Sequence, residues 1–182
     1  VSVLHALGFD NAQIETAMQE LTSIPGRMEY MPATHGLPAV VIDFAHTEQA
    51  LRACLEALKG VAQGDMYCVF GCGGDRDRSK RPRMAAVAES LADHVFVTDD
   101  NPRSEAPQQI MREILTGFEK PQDVRVIHDR EKAIRAAMKQ AGSNDLVVIA
   151  GKGHEQIQIV GDQRLAFSDH RVVQTVREEA AS

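Results

Sequence analysis

Asp100-Asn101-Pro102-Arg103 puts a carboxylate, an amide, a rigid ring and a guanidinium on consecutive residues. Arg103 can hold a carboxylate through two parallel hydrogen bonds, and Asp100 can hold an ammonium. Pro102 fixes its own φ and turns Asn101 away from helix, so the stretch is a stiff turn. A stiff turn offering both charges suits an amino acid, which carries both. Taken alone, the four residues read more simply as a turn and helix start with Arg103 in solvent.

Three other stretches carry comparable groups. Gly71-Cys72-Gly73-Gly74-Asp75-Arg76-Asp77 lacks the G-x-G-x-x-G spacing, and no Gly-Lys-Ser/Thr follows it. Its glycines let a ligand or another domain approach the backbone. Arg76, flanked by two aspartates, is a candidate for a carboxylate or phosphate, whereas Arg78, Lys80, Arg81 and Arg83 read as a solvated face. Gly151-Lys152-Gly153-His154-Glu155 exposes backbone and adds a carboxylate, Glu155, that could take an ammonium; His154 reads as structural. Asp43, in Asp43-Phe44-Ala45-His46-Thr47, is evenly balanced between bonding a ribose hydroxyl and capping a helix. Arg27, after Pro25-Gly26, is a linker arginine or a phosphate contact. The His residues are scattered, with no metal-ligand spacing, and no residue stands out as a catalytic nucleophile or base.

The elements that must position these groups alternate. Apolar runs predict strands over 39–44, 66–70, 95–98, 124–127 and 146–150. Helical patterns lie between them: from Thr47, a candidate N-cap, to Lys59, then over 84–91, 108–118 and 129–140. Such alternation predicts an α/β fold, a mostly parallel sheet with helices on both faces. Gly161-Asp162 between two short extended runs predicts a hairpin that adds an antiparallel edge strand, followed by a helix capped by Ser168. The candidate stretches then fall at the C-terminal ends of strands, where open α/β sheets bind ligands. Before the first strand, 24–37 reads as a linker, and 1–23 as helical residues that end a preceding domain, with Asp10 as a cap.

Composition narrows the partners. The 182 residues with 43% hydrophobic content suffice for one domain with a core. A net charge of −6 and the scarcity of aromatics argue against nucleic acid. No apolar run is long enough to span a membrane. Cys54, Cys68 and Cys72 read as free thiols of a reducing cytoplasm.

Taken together and in this order, Pro25-Gly26-Arg27-Met28-Glu29, Asp43-Phe44-Ala45-His46-Thr47, Gly73-Gly74-Asp75-Arg76-Asp77 with Lys80-Arg81-Pro82, Asp100-Asn101-Pro102-Arg103 and Gly151-Lys152-Gly153-His154-Glu155 resemble the C-terminal part of the Mur ligase family. The resemblance runs from about Ile24 to the end and implies a Rossmann-like amino-acid-binding domain over 38–182. It implies an ATP- and Mg2+-dependent amide ligase of peptidoglycan precursor synthesis. In that chemistry ATP phosphorylates a UDP-MurNAc-dipeptide and an amine displaces phosphate. It also implies that Arg76, Asp100, Asn101, Pro102, Arg103, Gly151 and Glu155 contact meso-diaminopimelate, and that Arg27 and Asp43 lie near the nucleotide. Phe44, Glu48 and Gln49 depart from the family's Tyr, Pro and Asp. The phosphate loop and uridine-binding part are absent from this sequence, so the chain alone is expected to be inactive, monomeric and cytoplasmic. A ligase adding lysine or another amino acid, and a free-standing binding domain without catalysis, are the alternatives.

Overall fold

The computed structural model describes residues 5–20 and 24–182; residues 1–4 and 21–23 of the opening helical segment lie outside the described residues. Helix α1 (Asn11–Glu20) starts as the sequence predicts. Asp10 Oδ1 accepts from Gln13 N at 2.8 Å, and Gln13 Oε1 accepts from Asp10 N at 3.0 Å, a reciprocal cap.

The main sheet contains β1 (Glu29–Met31), β2 (Ala39–Asp43), β3 (Met66–Phe70), β4 (His94–Val97), β5 (Arg125–Val126) and β6 (Leu146–Ala150), in the order β1-β2-β6-β3-β4-β5. All neighbours are parallel except β1, which runs antiparallel to β2. Strand β6, last of the parallel strands in sequence, lies between the first two, β2 and β3. The direction of strand addition therefore reverses at β6, which opens a crevice at the C-terminal edge of the sheet.

Period-two alternation sorts the side chains. Val41, Cys68, Phe70, Val97 and Val148 face one side, under α2 (Glu48–Lys59), α3 (Lys80–Leu91) and α4 (Pro107–Leu115). Val40, Ile42, Val69, Phe96, Val147 and Ile149 face the other, under α5 (Arg130–Gln140) and α6 (Asp169–Ala181). Leu51, Leu55 and Leu58 form the buried stripe of α2, each contributing roughly 1.5–3 kcal/mol of transfer free energy. Thr47 caps that helix, its Oγ1 accepting from Ala50 N at 3.2 Å. Ser168 caps α6 through Arg171 N at 3.4 Å.

Two expectations change. The hairpin β7 (Ile157–Val160) and β8 (Gln163–Ala166) forms, but as a separate two-stranded sheet. The antiparallel edge of the main sheet is β1, from the stretch read as linker. The cause lies at the end of β6: Gly151 (φ 116°) and Gly153 (φ 52°) take left-handed conformations that turn the chain off the sheet. The hairpin then settles on the turn after β4, with Arg103 N donating to Ile159 O at 3.0 Å and Gly161 N to Arg103 O at 2.8 Å.

Candidate functional site

Loops from the C-terminal ends of β2, β3, β4 and β6 enclose an open cleft of about 570 Å³. Arg76, Asp100, Asn101, Arg103, Gly151 and Glu155 all line it. Two loops meet at backbone contact. A Cβ on Gly71 would stand 2.2 Å from the Thr98 carbonyl oxygen, and one on Gly74 would stand 1.9 Å from that of Pro102. Only glycine fits there. Pro102 is buried behind the cleft wall and does not line it.

Arg103 adopts φ 53°, a left-handed backbone uncommon for a non-glycine residue and fixed here by the hairpin bonds. Its Nη1 donates to Gly74 O at 2.8 Å and more weakly to Asn101 O at 3.4 Å. Among the described residues Nη2 and Nε have no acceptor, so the open edge of the guanidinium faces the cleft. In the same cleft, Asp100 is 7% exposed with no donor on its carboxylate among the described residues, and Oδ2 lies 2.9 Å from where a Cβ of Gly151 would stand. A buried carboxylate without a donor favours a cationic ligand.

Asn101 is a hub inside the protein. Its Oδ1 accepts from Lys152 Nζ and Ile159 N, both at 2.9 Å, and its Nδ2 donates to Glu155 Oε2 at 2.9 Å. Lys152, fully buried, also donates to Glu155 Oε2 at 2.9 Å. Oε1 of Glu155 is left toward the cleft. Burial pushes the Glu155 carboxyl up, but hydrogen bonds from Lys152 and Asn101 outweigh it and hold it below the usual carboxylate range. Asn101 thus positions Glu155 while its amide serves the protein.

Arg81 corrects the reading of a solvated charge run. It is completely buried, with Nη1 bonded to Glu105 Oε2 at 3.0 Å and Glu113 Oε2 at 2.5 Å. Its Nη2 bonds Glu105 Oε1 at 2.9 Å and Gly73 O at 3.1 Å. Arg76 is held by a backbone bond, Nη1 to Asp75 O at 2.9 Å, with no carboxylate partner among the described residues. Lys80 also differs from the solvated reading: it lines the cleft and donates to His46 O at 2.8 Å. Under β6 a second buried arginine, Arg130, pairs with buried Asp169 at 2.7 and 2.9 Å and donates to Ala150 O at 3.0 Å, fixing the strand end before Gly151.

Arg27 and Asp43 lie beside the cleft, outside its lining. The Arg27 guanidinium stacks over Phe44, 4.2 Å from the ring centre, and Phe44 stacks on His154 at 5.7 Å. Asp43 accepts from Met28 N and Ala45 N, each at 2.8 Å, so both carboxylate oxygens already tie β2 to the preceding turn. Phe44, Glu48 and Gln49 line the cleft. The three thiols are buried, and burial pushes Cys54 and Cys72 up to about 12 and Cys68 up as well. No cluster of His, Cys, Asp and Glu among the described residues could hold a metal.

A family model described as Mur ligase, glutamate ligase domain matches residues 26–153. The chain is 44% identical to a UDP-N-acetylmuramoyl-L-alanyl-D-glutamate--2,6-diaminopimelate ligase of Prochlorococcus marinus subsp. pastoris, covering 98% of this chain and 36% of that protein. The protein of the same name from Haemophilus ducreyi is 48% identical, covering 93% of this chain and 34% of that one. A solved structure of a ligase of this name superposes with a TM-score of 0.82 at 38% identity, covering 99% of this chain and 37% of that one. The chain spans about a third of the length of the curated relatives it matches.

Proposed function

This chain belongs to the Mur ligase family, and on that premise we propose that it is the amino-acid-binding part of an ATP-dependent ligase adding meso-diaminopimelate to UDP-MurNAc-L-Ala-D-Glu. The observation that supports the reading is one cleft lined by charges of both signs. Arg103 and Arg76 present guanidinium edges, while Asp100 and Glu155 present carboxylate oxygens. Diaminopimelate carries two carboxylates and two ammoniums, so it can satisfy both kinds of group at once. Lysine lacks the distal carboxylate and would leave the Arg103 edge unpaired in a partly buried place, which costs affinity.

In the ligation, the acyl phosphate forms on the dipeptide carboxylate outside this chain. The diaminopimelate attacks the acyl carbon as a free amine, the C–O bond to phosphate breaks, and the proton shed by the nitrogen leaves with the phosphate. The residues here orient that amine from the rest of the molecule: Asp100 and Glu155 hold the ammonium that does not react, Arg103 and Arg76 fix the carboxylates. This is catalysis by placement. ATP and Mg2+ are assigned to the remainder of the protein, because this sequence carries no Gly-Lys-Ser/Thr phosphate loop. Arg27 and Asp43 are assigned to the nucleotide side of the cleft. Residues 1–23 are read as the end of the ATP-binding domain, and 24–37 as the connection that contributes β1 to the sheet of the amino-acid-binding domain over 38–182. The enzyme is taken to be a cytoplasmic monomer; no helix among the described residues is long and apolar enough to cross a membrane.

The test is Arg103→Ala in the full-length enzyme under steady-state turnover. KM for diaminopimelate should rise by roughly 100-fold, and the preference over lysine should narrow by a similar factor. Unchanged discrimination would remove Arg103 from the site.

A further inference from the structure

We propose that Arg81 is a positioning residue that sets the separation of the two ligand-facing arginines, Arg76 and Arg103, and so the length of amino acid the cleft accepts. The inference rests on the assignment of the cleft to diaminopimelate.

Arg81 does not touch the cleft; it is buried beneath the loops that carry those arginines. One fork of donors reaches both loops. Toward the loop after β3, Nη2 holds the Gly73 carbonyl at 3.1 Å. Toward the loop after β4, Nη1 and Nη2 take both oxygens of Glu105, at 3.0 and 2.9 Å. Glu105 then returns across the gap, its Oε1 accepting from Asp75 N at 2.7 Å. Asp75 completes the clasp by accepting from Ser104 Oγ at 2.6 Å and Ser104 N at 3.2 Å. Arg76 follows Asp75 and bonds its carbonyl; Arg103 precedes Ser104.

Backbone conformation points the same way. Asp75 (φ 54°) and Arg103 (φ 53°) are both left-handed, one on each loop, the first a member of the clasp and the second next to Ser104, its partner on the other loop. Non-glycine residues stay in that region when their surroundings over-determine them. At Asp75 the surroundings are Ser104 and Glu105, the latter held by Arg81; at Arg103 they are the hairpin bonds and the Gly74 carbonyl, next to the Gly73 carbonyl that Arg81 holds. A ligand gripped at both ends by Arg76 and Arg103 reads the distance between them. A group that fixes this distance selects ligand length without contacting the ligand. Lysine at position 81 would keep the charge but could not span Gly73 O and both Glu105 oxygens in one plane.

The experiment compares Arg81→Lys, Glu105→Gln and Arg103→Ala in the full-length ligase. KM is measured for diaminopimelate, ATP and the UDP-dipeptide, together with turnover of diamino diacids one methylene shorter and longer. Arg81→Lys should raise KM for diaminopimelate about tenfold with the other two KM values within about twofold, and should relax the length preference. Glu105→Gln should do the same more weakly, and it supplies the readout if Arg81→Lys does not accumulate as folded protein. An equal rise of all three KM values would overturn the proposal, since that is loss of structure alone. So would an unchanged diaminopimelate KM in Arg81→Lys and Glu105→Gln while Arg103→Ala raises it. If Arg103→Ala is also without effect, the assignment of the cleft fails as well.

Discussion

Asn101 and Lys152 show how the residues under the cleft are held. The buried ammonium has two partners, Asn101 Oδ1 and Glu155 Oε2. Asn101→Ala removes one of them and also strips the acceptor from Ile159 N. We expect about 2–4 kcal/mol of destabilisation by urea unfolding, because hydrogen bonds to buried charge are costly to leave unmade. Glu105 is one of the carboxyls that weaken the fold in acid. Hydrogen bonding to Arg81 lowers its carboxyl from 4.5 to about 2. A carboxyl depressed on folding adds stability above its unfolded value and loses it as pH falls through the folded one. The Glu105 contribution is therefore intact at neutral pH and fades between about pH 4.5 and 2. Glu105→Gln should flatten the stability–pH profile in that window; an unchanged profile would contradict the pairing. Arg103, Asp100 and Glu155 were legible as chemistry in the sequence because they sit in short polar stretches at strand ends. Arg81 and Arg130 were misread or missed because each begins a helix and looks like surface charge. Their phase was the available signal. Arg81 keeps helical register with Met84, Ala85 and Ala88, and Arg130 with Ala133, Ile134 and Ala137, all buried. An arginine on the apolar stripe of a helix's first turn lies directly under the rim of the sheet.

Among the elements, the helices and parallel strands follow from patterning, and Thr47, Asp129 and Ser168 cap the helices they precede. The hairpin followed as well, but its docking did not. Its turn chemistry was visible in Gly161-Asp162, but its docking partner is a turn more than fifty residues earlier, and neither end carries a pattern that names the other. Strand β1 was hidden for the opposite reason: three residues are too short for periodicity, and a turn signal precedes them. The docking has consequences. Ile159→Pro removes the N–H that Asn101 Oδ1 accepts, so it should weaken diaminopimelate binding in the full-length enzyme while far-ultraviolet circular dichroism stays unchanged. Gly74→Ala should do more. Its Cβ would meet Pro102 O at 1.9 Å and force the two loops apart, with loss of diaminopimelate binding by calorimetry. Binding retained in Gly74→Ala would show that the loops need not touch.

At the scale of the whole molecule, the doubly covered sheet is a frame whose reversal at β6 gathers loops from distant parts of the chain. The charge pattern of that gathering, guanidiniums and carboxylates lining one cleft, is what connects fold to chemistry. The chain contains no Gly-Lys-Ser/Thr loop, and it spans about a third of its relatives. By itself it should therefore show no ATP turnover with dipeptide and diaminopimelate; measurable turnover by the isolated chain would contradict the division of labour proposed here. The most direct measurement is a crystal structure of the full-length ligase with meso-diaminopimelate bound. The account predicts the Arg103 guanidinium about 2.7–2.9 Å from the distal carboxylate, with an ammonium between Asp100 and Glu155. Arg103 bonded only to the Gly74 and Asn101 carbonyls, with the ligand seated elsewhere, would contradict it.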